Sequence, residues 1–210
     1  MARNNDFRFS SVPFIGIALV YNTLPAEIPT HWGVNGEIDG YGPKWMQFVL
    51  AGIGCFLYGL LYVVPLIDPK RANIEKFGKN YQWLRLGFQF FFTAVIVMTT
   101  AVALGYAVDV DAIIRIGISL LFIFIGNSFG KMKQNYMIGI KTPWTLADGE
   151  VWNRTHRLAG YVWVGLGLVM LATTLLPSVV GSLIFFICLI VMVIVPFVYS
   201  YIIYRQKNKL

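Results

Sequence analysis

Charge is what this chain has least of. Only 13% of its 210 residues are Asp, Glu, Lys or Arg, against 57% hydrophobic, and the mean hydropathy is +0.66. A soluble domain carries about 25% charged residues, so this much apolar sequence cannot hide in one aqueous core, and the bilayer is its expected solvent. Cysteine is nearly absent: Cys55 and Cys188 stand alone in apolar runs, without the neighbours of a metal or redox site, and read as small hydrophobes. Linkers and low-complexity stretches are missing, so one integral membrane domain is expected over residues 1–210. No small-residue cleavage pattern follows the first apolar stretch, so no cleavable signal peptide is expected. The apolar runs are almost free of carboxylates, which argues against a proton relay or ion pathway through their centre. H-E-x-x-H, Gly-x-Ser-x-Gly, a P-loop and a Cys/His nucleophile pair are all absent, so no enzyme, catalytic residue or cofactor is expected.

What remains is a series of apolar runs. They predict an all-α, polytopic membrane helical bundle of six transmembrane helices, at residues 7–24, 45–67, 86–108, 112–129, 158–176 and 179–203. The first is apolar only from Val12 to Leu24 and reaches 18 residues by extension back to Phe7; a re-entrant or interfacial segment is its alternative. Pro196 should kink the last helix locally. With six spans, fifteen of the seventeen Lys and Arg fall on one side, leaving Lys44 and Arg115 for the other. Positive charge accumulates in the cytoplasm, which puts both termini and residues 130–157 inside, and residues 25–44 and the acidic turn at Asp109 and Asp111 outside.

Residues 25–44 read as a compact acidic loop with turn positions at Gly33, Asn35-Gly36 and Asp39-Gly40. Glu27 and His31 are four apart and, with Asp39, form a weak candidate metal set; a hydrogen-bonded His in a small lid is the plainer alternative. Arg115 lies one turn into an apolar run, where a charge must snorkel or find a partner, and Asp111 at i−4 is in reach. It is either an interfacial anchor or part of an outward polar site with Asp109, Asp111 and the first loop.

The longest polar interruption, 130–157, is a loop with built geometry followed directly by an apolar span. Pro143 biases Thr142 out of the helical region. Thr145 with Asp148 reads as a capping box that starts a short amphipathic cytoplasmic helix. That helix carries Val151, Trp152 and Thr155 on one side, Glu150 and Arg154 paired at i,i+4 on another, and then His156 and Arg157. Trp144 and Trp152 suit the headgroup region or a partner interface. The surrounding cations Lys131, Lys133, Lys141, Arg154 and Arg157 would bind anionic lipid. A plain interfacial anchor is the alternative role for this stretch.

The string from Asn135 through Gly139, Thr142, Pro143, Trp144 and Thr145 to Trp152, His156 and Arg157 resembles the signature of the SdpI family of bacterial membrane immunity proteins, and Asn127, at the inner end of the preceding span, is grouped with this cytoplasmic motif. A second block, with Leu24, Pro25, Glu27, Pro29, His31, Trp32, Gly36, Asp39 and Gly40, is similar to a short domain of unknown function often found at the start of that family. The resemblance implies a multi-pass protein of the bacterial cytoplasmic membrane that protects the cell from a secreted peptide toxin. It also implies a candidate second role, holding a cytoplasmic transcriptional repressor at the membrane, with no direct nucleic-acid contact. The expected partners are therefore the bilayer, the toxin and that repressor. Toxin contact is expected at Glu27, His31, Trp32, Asp39, Asp109, Asp111 and Arg115, and the inner readout at the cytoplasmic motif. A small transporter or a metal-sensing membrane protein is the alternative function.

Overall fold

The computed structural model describes residues 7–33 and 36–208. In a bilayer no water satisfies backbone N–H and C=O groups, so apolar runs must pair them internally as helices. Five helices are long and apolar enough to span: α2 (Met46–Ile67), α4 (Gly78–Ala103), α5 (Val110–Phe129), α7 (Gly149–Ala172, continued by the 3-10 turn Thr173–Leu175) and α8 (Ser178–Lys207). The expected sixth, α1 (Phe7–Val20), has 14 residues. At 1.5 Å per residue that is about 21 Å, short of a hydrocarbon core of roughly 30 Å. Its C-terminal end is tied down by Lys44, whose Nζ donates to the Tyr21 and Leu24 carbonyls. Lys44 also lies over the Tyr21 ring.

Three expected boundaries move. Residues 68–85 are not an open loop: α3 (Arg71–Glu75) sits in it, and α4 begins at Gly78, so Lys79 and Arg85 are helical. The amphipathic helix and the span expected at 158–176 are one helix, α7, because nothing after Asp148 breaks the pattern. Residues 25–44 are an antiparallel hairpin, β1 (Glu27–Trp32) with β2 (Ile38–Pro43), the one departure from an all-α architecture among the described residues. Tyr106, Val108 and their neighbours connect α4 to α5 after Gly105, whose φ of +85° ends the helix.

α5 and α7 make the most extensive contact, and glycine permits it. A Cβ on Gly160 would lie 3.0 Å from the Gly126 carbonyl oxygen, and one on Gly126 would lie 2.8 Å from the Trp163 Cβ. α8 runs through Pro196 without interruption. Proline cannot donate to the carbonyl of residue i−4, Met192, and the Trp163 indole of α7 does so instead, at 2.9 Å. The core follows these contacts, with one apolar cluster on Phe77, Tyr81, Phe129 and Ala159 and another on Met170, Phe185, Cys188 and Met192.

The connections sort to two ends. At one end lie the hairpin, the α4–α5 connection and the Thr173–Leu175 turn. At the other, the α2–α4 connection, residues 130–148 and the end of α8 bond to one another. Asp68 accepts from Tyr136 N–H at 2.9 Å, Lys70 donates to Gln134 at 2.6 Å, and Lys207 reaches Asp148 at 2.8 Å.

Candidate functional site

At the hairpin end, Arg115 is buried and meets two partners. Nη2 pairs with Asp111 at 2.5 Å and Nη1 donates to the Thr173 carbonyl at 2.7 Å, leaving Nε without a hydrogen bond. It therefore ties α5 to the turn after α7. α8 approaches so closely that a Cβ on Gly181 would lie 2.0 Å from Nη1. The partner expected at i−4, Asp111, is thus in place, and the Thr173 carbonyl is a second one. Asp109 caps α5 by accepting from Ala112 N–H at 2.9 Å, a placement favoured at a helix N-terminus. The tip of the hairpin rests here as well. Gly36, at φ +78°, has the Asp111 Cβ 3.3 Å from where its own Cβ would be, so Asp111 joins the hairpin to α5.

Within the hairpin, His31 Nδ1 and Asp39 Oδ1 lie 2.5 Å apart on an exposed face. Gly40 makes this possible, since a Cβ there would meet the His31 Cβ at 3.0 Å. Trp32 pairs with Ile38 and is half-buried. Glu27 pairs with Pro43 at the other end of β1. Four residues of strand put it about 13 Å from His31, because the i,i+4 neighbourhood that would join them belongs to a helix. The candidate metal set does not assemble, and no cluster of three potential ligands occurs among the described residues.

At the opposite end the motif folds on itself. Asn135, fully buried, accepts from Met137 and Ile138 N–H at 3.0 and 2.6 Å and donates to the Lys133 carbonyl, pinning a tight turn. Gly139 follows at φ +114°. Trp152 is also fully buried, its indole donating to the Met132 carbonyl at 3.0 Å. The expectation that it suits the headgroup region or a partner interface is therefore overturned: the ring is buried and its N–H has a backbone partner. His156 stacks on it with centroids 4.0 Å apart. The His156 ring is a neutral tautomer, because Nε2 accepts from Ile140 N–H at 3.0 Å and Nδ1 donates to the Trp152 carbonyl at 2.9 Å.

The cap differs from expectation by one turn. Thr142, extended at ψ 160°, is the N-cap of α6 (Pro143–Ala147), with Pro143 in the first turn. Thr142 Oγ1 accepts from Thr145 N–H and Thr145 Oγ1 from Thr142 N–H, at 3.1 and 2.9 Å. Threonine's short hydroxyl completes the reciprocal box, so Asp148 is free to cap α7, accepting from Glu150 and Val151 N–H. Asp148 also takes Lys207 from the end of α8, and this ammonium holds its carboxyl below the ordinary carboxylate range. Trp144 packs edge-on against Phe197 of α8 and tilted over Tyr201. Glu150 and Arg154 are both exposed and 3.8 Å apart. Arg154 and Arg157 face outward, as does Asn127 at the end of α5, while Ser128 turns in.

Sequence reasoning passed over several members of this end. Asp68, Lys70 and Asn73 hold the motif from the α2–α4 connection, Gln134 donates to the Thr145 and Leu146 carbonyls, and Ser200 meets Thr142 at 3.0 Å. The one available signal was Asp68-Pro69 at the end of an apolar run. Arg85, buried in α4 over the rings of Tyr58, Tyr62 and Tyr81, was hidden by being counted as a loop cation.

The sequence of this end matches a family model. The model of the SdpI/YfhL protein family aligns with residues 131–200, from the buried asparagine turn to the Ser200 that receives the cap. Over that segment the chain is similar to the SdpI family. A domain of unknown function, DUF1648, matches residues 11–55, which contain most of α1, the hairpin and the start of α2. The immunity protein SdpI of Bacillus subtilis (strain 168) is 27% identical over 195 residues, 93% of this chain and 92% of that protein. No solved structure matches. The SdpI segment thus comprises the folded motif together with α7 and most of α8, the elements that Trp144, Thr142 and Lys207 lace together.

Proposed function

We propose that this chain is a bacterial membrane immunity protein that protects its cell from a secreted peptide toxin. The likeness to an immunity protein over 93% of the chain carries this reading. In it the protein acts as one membrane domain. Its basic end, with Lys133, Lys141, Arg154, Arg157 and the end of α8, lies in the cytoplasm, and the hairpin lies outside. A toxin arriving from outside meets the exposed His31–Asp39 pair, Trp32 and Glu27 on the hairpin, then Asp109, Asp111 and Arg115 beneath it.

A second role, relaying toxin binding to a cytoplasmic transcriptional repressor, is supported by the path of α5. This helix carries Asp111 in its first turn under the hairpin tip and packs glycine to backbone on α7, whose first turns hold the inner motif through Trp152 and His156. A signal needs two arrangements of α5 and α7 to which the toxin binds with different affinity. The test is survival of a toxin-sensitive strain expressing the protein when challenged with the peptide toxin to which SdpI-type proteins confer immunity. Unchanged killing at confirmed membrane expression refutes the immunity reading. His31→Ala and Asp39→Ala should reduce both protection and repressor recruitment, whereas Arg154→Ala and Arg157→Ala should impair recruitment alone. Loss of toxin binding in the arginine variants would sink the division between ends.

A further inference from the structure

α4 and α5 do not close on each other along their length. They leave a cleft of about 650 Å³, open to the surroundings of the bundle and within the size range of small-molecule sites, roughly 300–1,000 Å³. Reciprocal glycine contacts shape it. A Cβ on Gly87 of α4 would lie 3.1 Å from the Phe124 ring of α5, and one on Gly117 of α5 would lie 3.1 Å from the Phe91 ring of α4. The two rings fold inward onto the glycines and leave the outer trough to Phe90, Ala94 and Leu120. The only polar side chain in the lining is Asn127, at the basic end of the cleft.

Helical phase extends both walls toward that end. On α4, Ala94, Phe90, Gly87, Trp83 and Lys79 succeed one another at spacings of three or four, and so share a face. On α5, Leu120, Phe124 and Asn127 do the same, and Lys131 continues the row because Gly130 keeps helical angles (φ −62°, ψ −14°). Lys79, Trp83, Asn127 and Lys131 are all exposed, and neither lysine has an ion pair among the described residues. An apolar trough within the spans, ending at an amide, an interfacial indole and two cations, is complementary to one occupant. Acyl chains fill grooves that face the bilayer, and basic pockets between helices take acidic headgroups.

We propose that the α4–α5 cleft is a binding site for an anionic glycerophospholipid. One acyl chain lies in the trough beside Phe90 and Leu120, and the acidic headgroup sits at Lys79, Asn127 and Lys131. Native mass spectrometry of the detergent-purified protein, titrated with phosphatidylglycerol or phosphatidylcholine of the same chains, tests this. The wild type should retain phosphatidylglycerol preferentially. Lys79→Gln with Lys131→Gln should weaken it by about thirtyfold, roughly fivefold for each lysine, and leave phosphatidylcholine unaffected. Ala94→Trp, which fills the trough from its exposed side, should weaken both lipids. Lys133→Gln with Lys141→Gln, at the same end but off these two faces, should change neither. Equal retention of both lipids by the wild type overturns the proposal. So does equal loss of phosphatidylglycerol in the two lysine pairs, or its undiminished retention in Ala94→Trp.

Discussion

Gly139 is the position where one methyl group should cost most. Its φ of +114° is a region that residues with a Cβ rarely enter, and forcing one there costs about 1–3 kcal/mol. The added Cβ would also lie 2.5 Å from His156 Nε2 and 3.1 Å from the Trp152 ring. Trp152 is held by its bond to Met132 and has no space to withdraw into, so the imidazole must move. Moving it breaks the Ile140 N–H bond, worth about 1 kcal/mol net. Gly139→Ala should therefore destabilise the protein by about 2–4 kcal/mol. Gly149→Ala is the matched control: it stands at the first position of α7 with its nearest neighbour 3.8 Å away, and should be neutral or slightly stabilising. Denaturant unfolding in mixed micelles, followed by tryptophan fluorescence, reads both. Equal unfolding midpoints for Gly139→Ala and wild type would show that the His156–Trp152 stack does not confine this backbone.

Four further outcomes are expected. Arg115→Ala should cost about 3–5 kcal/mol by leaving the Asp111 carboxylate without its partner, and adding Asp111→Asn should recover part of that loss; an additive double variant would refute the coupling. Thr142→Val removes the cap acceptor and the Ser200 contact, and should cost about 0.5–2 kcal/mol with normal membrane insertion. The Asp148–Lys207 tie should depend on pH in a defined direction: a carboxyl held low in the folded protein contributes above its ordinary pKa, and loses that contribution as pH falls below the carboxylate range. Hydrogen exchange at the end of α8 should accelerate there in the wild type, and be uniformly fast in Asp148→Asn. Cysteines placed at Asn35, which lies outside the described residues, and at Asn153 should be labelled from outside intact cells at Asn35 only; labelling at Asn153 alone would invert the proposed topology.

Five of the six expected spans were legible because the bilayer permits little else: a run of about 20 apolar residues must close its own backbone bonds, and the first run is too short for that length. Separation of the basic connections from Lys44 and Arg115 was legible as well, since charge cannot rest in hydrocarbon and must collect at the ends. The i,i+4 contact of Asp111 with Arg115 followed from helix geometry alone. Local patterns with two solutions were not decided by sequence. Thr142, Thr145 and Asp148 offer overlapping boxes, and tertiary contacts chose between them, because Ser200 of α8 meets Thr142 and Lys207 claims Asp148. Spacing of four placed Glu27 beside His31 only if the stretch were helical, and the hairpin parted them. Trp152 reads the same in sequence at a membrane surface or in a core; only the Met132 carbonyl, 20 residues away, takes it inside. Propensity and hydropathy act within a turn or two of chain, whereas caps, buried indoles and the Gly126–Gly160 crossing are settled by groups that become neighbours only on folding.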